Sequence, residues 1–81
     1  MKTHEEIPNS VIEEAMPLIQ RYGENIILLG KKNIWNIYMY EFPEGLFLGY
    51  PFIYLYDTED GSTTTITGLD ALDITNEFYN H

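Results

Sequence analysis

The sequence contains no cysteine and few basic residues, and both shortages exclude classes of function. Without cysteine, neither a disulfide framework nor a thiolate zinc site can form, so packing alone must hold the fold together. Only 4 lysine and arginine residues stand against 13 acidic residues, which gives a net charge of −9. Binding to nucleic acid and attraction to an anionic membrane both require positive charge. We therefore expect neither as a partner.

Signals for targeting and for membrane insertion are also missing. The N-terminal stretch MKTHEEIPNS lacks the apolar core of a signal peptide, and no run of about 18 apolar residues occurs. We expect a soluble, cytoplasmic protein. The 81 residues make one domain, which would bury only about 60–65% of its unfolded surface. A partner subunit would add appreciably to the stability of so small a domain.

Two amphipathic segments predict helices near the two ends of the chain. The first begins at Ser10, where Ser10 and Glu13 fit a capping box that satisfies backbone N–H groups of the first turn. The second covers Leu69–Tyr79. Residues 1–9 are expected to form a flexible N-terminal segment, and residues 10–81 a single α+β domain.

Three or four strands are predicted between the helices. Pro43-Glu44-Gly45 suits a three-residue hairpin loop between the two long strands. The predicted strands are Ile26–Leu29, Ile34–Phe42, Leu46–Tyr56 and the threonine-rich Ser62–Thr67. The order α-β-β-β-(β)-α predicts an α+β fold, a two-layer sandwich in which an antiparallel meander carries both helices on one face.

The two long strands hold nine of the twelve aromatic residues, and their side chains separate by parity. Even-numbered positions form one side of the sheet, called here the tyrosine face, and odd-numbered positions form the tryptophan face. All five tyrosines of these strands are even-numbered. Trp35 is odd-numbered and is expected in the core beneath the helices. A bulge at Pro51 would reverse the parity and send Tyr54 and Tyr56 to the other face.

The widths of the elements predict that one face lacks a cover. Four strands about 4.8 Å apart make a sheet roughly 19 Å wide, and two helices about 10 Å across cover one such face. Because a phenol needs a hydrogen-bond partner or water, we expect the helices on the tryptophan face and an external cover on the tyrosine face. The predicted interface residues are Tyr38, Tyr40, Tyr50, Phe52, Tyr54 and Tyr56.

Motifs for catalysis and for cofactor or metal binding are absent from the sequence. His4-Glu5-Glu6 has ligand-type side chains, but it lies at a terminus without a rigid frame. No nucleophile elbow occurs, and the glycines are scattered rather than gathered into a phosphate cradle. The acidic turn at 57–61 does not follow the calcium-loop pattern. We expect a non-enzymatic protein with no cofactor and no metal.

The leading hypothesis is a small interaction module that forms a homodimer, or a higher oligomer, through the tyrosine face. Closed twofold contacts are the commonest way for identical chains to associate. One alternative is a small-molecule-binding domain with a concavity between the sheet and a partner copy. Another is an acidic inhibitor or immunity-type protein that binds a basic protein partner. Its partner-facing acids would be Asp57, Glu59, Asp60, Asp70 and Asp73.

Overall fold

The computed structural model describes residues 7–42 and 50–79. The described strands form one antiparallel sheet in the order β1-β2-β3-β4. The predicted α+β class and the order of the elements are confirmed, including the fourth strand. The elements are α1 (Asn9–Tyr22), β1 (Ile26–Lys32), β2 (Trp35–Tyr40), β3 (Ile53–Asp57), β4 (Thr63–Ile66) and α2 (Gly68–Tyr79).

Several sequence predictions fall outside the described residues. They concern the hairpin loop at 43–45, the first part of the third predicted strand at 46–49, and His4-Glu5-Glu6. Of the predicted N-terminal segment, Ile7 and Pro8 are described, and Ile7 packs half-buried against the core.

β1 extends three residues beyond its predicted end. A bulge between Leu28 and Gly30 lets the pairing with β2 continue to Lys32. An extra residue in one strand reverses the alternation of its side chains. As a result, Gly30 and Lys32 lie on the tryptophan face, opposite Ile37 and Trp35 respectively.

The pairing of β2 with β3 is regular. Tyr38 lies opposite Tyr54, and Met39 lies opposite Ile53. Pro51 precedes β3 and does not reverse the parity of the strand. The predicted sorting of these two strands into a tyrosine face and a tryptophan face is therefore confirmed.

The helices pack on opposite faces of the sheet, which corrects the expectation that one face carries both. Val11 and Ala15 of α1 are fully buried against Tyr38, Tyr40 and Tyr54. These tyrosines belong to the tyrosine face, so α1 supplies the cover that was expected from outside the chain. The sheet is the middle of three layers.

α2 covers part of the tryptophan face. Its buried Ala71 packs against Ile37 and Ile53 near the start of the helix. Near the end of the helix, the ring of Phe78 lies so close to Gly30 that a Cβ there would stand 2.4 Å from the ring. A side chain at this point of β1 would force the Phe78 ring to move, and the contact with Gly30 holds the C-terminal end of α2 over the edge strand.

Polar contacts fix α1 over β4. The predicted capping box of Ser10 and Glu13 is not formed, because no side chain caps α1. The Ser10 hydroxyl oxygen lies 2.5 Å from that of Thr63, and the Thr65 hydroxyl donates to Glu14 Oε1 at 2.6 Å. Residues four apart on a helix and two apart on a strand each share one side of their element. Ser10 and Glu14 therefore face Thr63 and Thr65 in the same order along the helix and the strand.

Candidate functional site

Three of the predicted interface residues lie in the core. Tyr38, Tyr40 and Tyr54 are only 1–2% exposed beneath α1, so they cannot contact a partner in this conformation. The Tyr40 hydroxyl donates to the carbonyl oxygen of Gly23 and lies 3.3 Å from that of Leu18. A phenol with carbonyl partners can be buried. The expectation that these tyrosines mark a wet surface is therefore wrong.

The buried phenols also titrate above their ordinary range. Burial raises the pKa of Tyr54 to about 12, and the charges of Tyr40 and Glu14 nearby act in the same direction. Burial likewise raises the pKa of Tyr40, against a lowering by its hydrogen bond with Asn25. Both groups are held in the neutral form by their packing.

The other predicted interface residues lie nearer the surface. Phe52 and Tyr56 are half-buried and pack against the tyrosine-face core, and Tyr50 is 48% exposed. The ring of Phe52 meets that of Phe42 edge-on, with the centroids 5.9 Å apart. Tyr50 and Phe52 precede β3 and Tyr56 lies near its end, so the surface-accessible residues of the predicted interface are split between the two ends of that strand.

The predicted partner-facing acids lie in two groups. Asp57 ends β3, and Glu59 and Asp60 follow it before β4 begins, whereas Asp70 and Asp73 belong to α2, which follows β4. The two groups are therefore at opposite ends of that strand. All are exposed except Asp57, which is half-buried and accepts N–H bonds from Glu59 and Asp60 at 2.8 and 3.2 Å.

A groove of about 250 Å³ lies on the tryptophan face beside α2. It opens at the end of the sheet where β1 turns into β2. Its walls are apolar and come from β2, β3 and α2, and its rim is polar. The walls are Trp35, Ile37, Leu55 and Ile74, and the rim is Lys32, Asn33 and Glu77.

The position of α2 leaves this groove open. The helix contacts β1 and β3, starting near Ile53 and ending with Phe78 against Gly30. It therefore crosses the face obliquely towards the β1 edge. Trp35 and Leu55, on the strands beside its second half, remain half-exposed instead of fully covered.

An ion pair spans the rim of the groove. The Lys32 ammonium on β1 donates to Glu77 Oε2 on α2. Both side chains are about half exposed, at 53% and 46%. Pairs this exposed add only about 0–1 kcal/mol to stability, because water screens the charges. The pair places one charge of each sign at the rim.

Sequence reasoning predicted a core role for Trp35 and did not find the groove. The apolar walls were visible as odd-numbered strand residues and one side of the second helix. The position of α2 along the face was not visible, because it depends on the bulge that brings Gly30 beneath Phe78. The β1 sequence IILLGKK has no pattern that predicts a bulge.

Across residues 7–42 and 50–79, no three histidine or acidic side chains group together as a possible metal site. Neither described helix has the length and apolar character needed to cross a membrane.

Comparisons with known proteins give no relative. The chain matches no protein-family model, no curated protein sequence and no solved structure. The geometry of the groove and of its rim is therefore the basis for assigning a function.

Proposed function

We propose that this protein is a non-catalytic binding domain, with the groove between α2 and the β2–β3 pair as the site for a small apolar ligand. The observation that carries the proposal is an open concavity of about 250 Å³ with four apolar walls. Ligand pockets are typically about 300–1,000 Å³, and a cavity of about 150 Å³ holds benzene. The groove suits one ring with a short substituent.

The charged groups at the groove favour binding over catalysis. Lys32 and Glu77 are the two ionisable residues among those that line it, and they pair with each other. A general acid or base acts from a position within reach of the reacting atoms. Here both groups stand at the rim, and the walls where a ring would lie are hydrocarbon and indole.

Burial of apolar surface would supply the affinity. At about 25 cal/mol per Å², covering about 160 Å² of ligand surface contributes about 4 kcal/mol. This corresponds to a Kd of about 1 mM, before the loss of ligand freedom is subtracted. A bare ring should therefore bind no more tightly than the millimolar range, and a larger natural ligand more tightly than a bare ring.

The single tryptophan provides the experiment, because Trp35 lines the groove. We expect benzyl alcohol to change Trp35 fluorescence in a saturable way. Leu55→Phe should fill the groove and weaken this binding at least about five-fold, since an overfilled cavity rejects its ligand. Leu69→Phe is the matched control, because Leu69 is 65% exposed at the start of α2. Unsaturable fluorescence changes, or equal weakening by both variants, would contradict the proposal.

Self-association is a second candidate, supported by a different observation. Tyr50 is a large aromatic side chain left 48% exposed beside the half-buried Phe52. Exposed aromatic rings are typical of interface cores. Light scattering at high micromolar concentration should then give a dimer mass, and Tyr50→Ser should lower it. A monomer mass throughout would end this candidate.

Binding of a basic protein stays a prediction supported by charge. The net charge is −9, and Glu59, Asp60, Asp70 and Asp73 are exposed. Charge of this size attracts a basic partner at long range and does so less at high salt. Binding to a basic protein that did not weaken with added salt would contradict this mode.

A further inference from the structure

We infer that the groove selects organic cations, so that its ligand is an apolar ring or short chain carrying an ammonium group. This inference rests on the proposed function and concerns the charge of the ligand. Three features of the groove carry it: the carboxylate on its rim, the indole in its wall and the charge of the surrounding surface.

The carboxylate is Glu77, which can exchange its partner. Its present partner, Lys32, is 53% exposed, so the lysine ammonium returns to water when it is displaced. The exchange leaves no charge buried, so it changes the free energy of the protein only slightly. A ligand ammonium above the apolar walls can therefore take the place of Lys32 beside Glu77.

The indole is Trp35, which has a second carboxylate close by. A cation over an indole face is attracted by the negative centre of the ring. Asp57 pairs with Trp35 across β2 and β3, so both side chains lie on the tryptophan face. The N–H groups of Glu59 and Asp60 hold one oxygen of Asp57 in place. One carboxylate therefore lies near the groove on β3 and another lies at its rim on α2.

An anionic ligand is the rival class, and the charges disfavour it. Lys32 is the rim cation that would attract an anion, and an anion could displace Glu77 from it at the same small cost, so the ion pair alone favours neither charge. Its neighbour Lys31 pairs with Asn36 and so lies on the tyrosine face. The net charge of −9 repels anions and concentrates cations near the surface.

Three probes with the same ring separate charge from shape. Benzylammonium, benzyl alcohol and benzoate would each be titrated while Trp35 fluorescence is recorded. We expect benzylammonium to bind about three- to ten-fold more tightly than the alcohol, from one cation–π contact and the attraction of the negative surface, because the ion pair with Glu77 replaces the one with Lys32. Benzoate should bind most weakly. The advantage of the cation should shrink as salt is added.

Two variants with the same change in net charge locate the effect. Glu77→Gln should remove most of the preference for benzylammonium over benzyl alcohol, and saturable binding of the alcohol to this variant would show that the groove is intact. Glu13→Gln, on the exposed side of α1, should keep the preference.

The outcomes distinguish this inference from the proposed function. If the alcohol binds in the groove and the cation binds no more tightly, or if Glu77→Gln leaves the preference intact, the inferred ligand class is wrong and the site stands. If none of the three probes gives a saturable change, both the site and its ligand class are overturned.

Discussion

The tyrosine face and the tryptophan face each carry one helix, yet they are covered to different extents. α1 buries three tyrosines to 1–2% exposure, whereas α2 leaves a groove of about 250 Å³ beside Trp35. The difference lies in how the helices are attached. α1 is bonded to β4 through two side-chain pairs, and the Tyr40 phenol of β2 bonds to a carbonyl oxygen at its C-terminal end, so the helix lies over β3 and β4 and is held at both ends. α2 is drawn to the β1 edge by Phe78.

The comparison shows that the number of helices does not decide how completely a face is covered. One helix about 10 Å wide closes half of a sheet roughly 19 Å wide, and large side chains can fill the other half. The tyrosine face has such side chains, with Tyr40, Phe42 and Tyr22 in edge-on contact. The tryptophan face has smaller aliphatic residues beside α2, and part of it stays open.

The largest loss of stability should come from a charge placed beneath α1. Tyr54→Asp would bury a carboxylate among apolar side chains, and we expect it to lower the free energy of unfolding by about 4 kcal/mol or more. Urea unfolding followed by circular dichroism would measure the loss. Tyr50→Asp is the matched control and should change stability by less than about 0.5 kcal/mol. A soluble, folded Tyr54→Asp monomer would mean that α1 does not cover this face.

Alkaline pH should also destabilise the protein through the tyrosine face, by a smaller amount than Tyr54→Asp. The pKa of Tyr54 is about 12 in the folded protein against its ordinary value of 10.0. Between these values the unfolded chain has lost the proton that the folded protein keeps, so rising pH favours unfolding. This contribution of Tyr54 to stability is complete below about pH 10 and is lost through about pH 12. Urea midpoints across this range should fall less steeply for Tyr54→Phe than for the wild type; equal slopes would contradict the burial of this phenol.

The attachment of α2 can be tested at Gly30. Gly30→Ala places a methyl group 2.4 Å from the Phe78 ring, and the end of the helix must shift to make room. We expect a loss of about 1–3 kcal/mol, as for other overpacked sites. Phe78→Ala removes the ring, so in that background Gly30→Ala should cost much less. A double-mutant cycle measured by urea unfolding gives the coupling, and additive losses would show that the ring does not lie against β1.

The smallest expected effect concerns the bond between Thr65 and Glu14. Thr65→Val keeps the shape of the side chain and removes the donor to Glu14 Oε1. We expect a loss of about 1 kcal/mol in the free energy of unfolding. Thr64→Val is the control, because Thr64 is exposed and pairs with Leu55 on the tryptophan face. If the two variants lose equal stability, the bond does not hold α1 over β4.

The fold was largely predictable because its signals are local. Amphipathic periodicity marked both helices, and parity sorted Tyr38 and Tyr54 onto one face. The layer arrangement was not predicted, because the sequence does not show that the phenol of Tyr40 finds carbonyl partners at the end of α1. The spacing of Ser10 and Glu14 against Thr63 and Thr65 was the available signal for the position of that helix.

The candidate site was less predictable than the fold. The wall residues from the strands could be placed on the tryptophan face from parity, but the groove exists only where α2 leaves part of that face uncovered. Its existence depends on a single bulge in β1 and on one ring packed against Gly30. Neither feature has a sequence pattern of its own, since bulges are set by the packing of the whole sheet.

The most direct test is an NMR titration of the isotope-labelled protein with benzylammonium, in which both faces are observed in one experiment. The account predicts progressive, saturable chemical-shift changes for the Trp35 indole and for the methyl groups of Leu55 and Ile74. Val11 and Ala15 of α1, which cover the tyrosines on the other face, should change little. Shifts concentrated around the tyrosines and α1, with the indole signal unmoved, would contradict it.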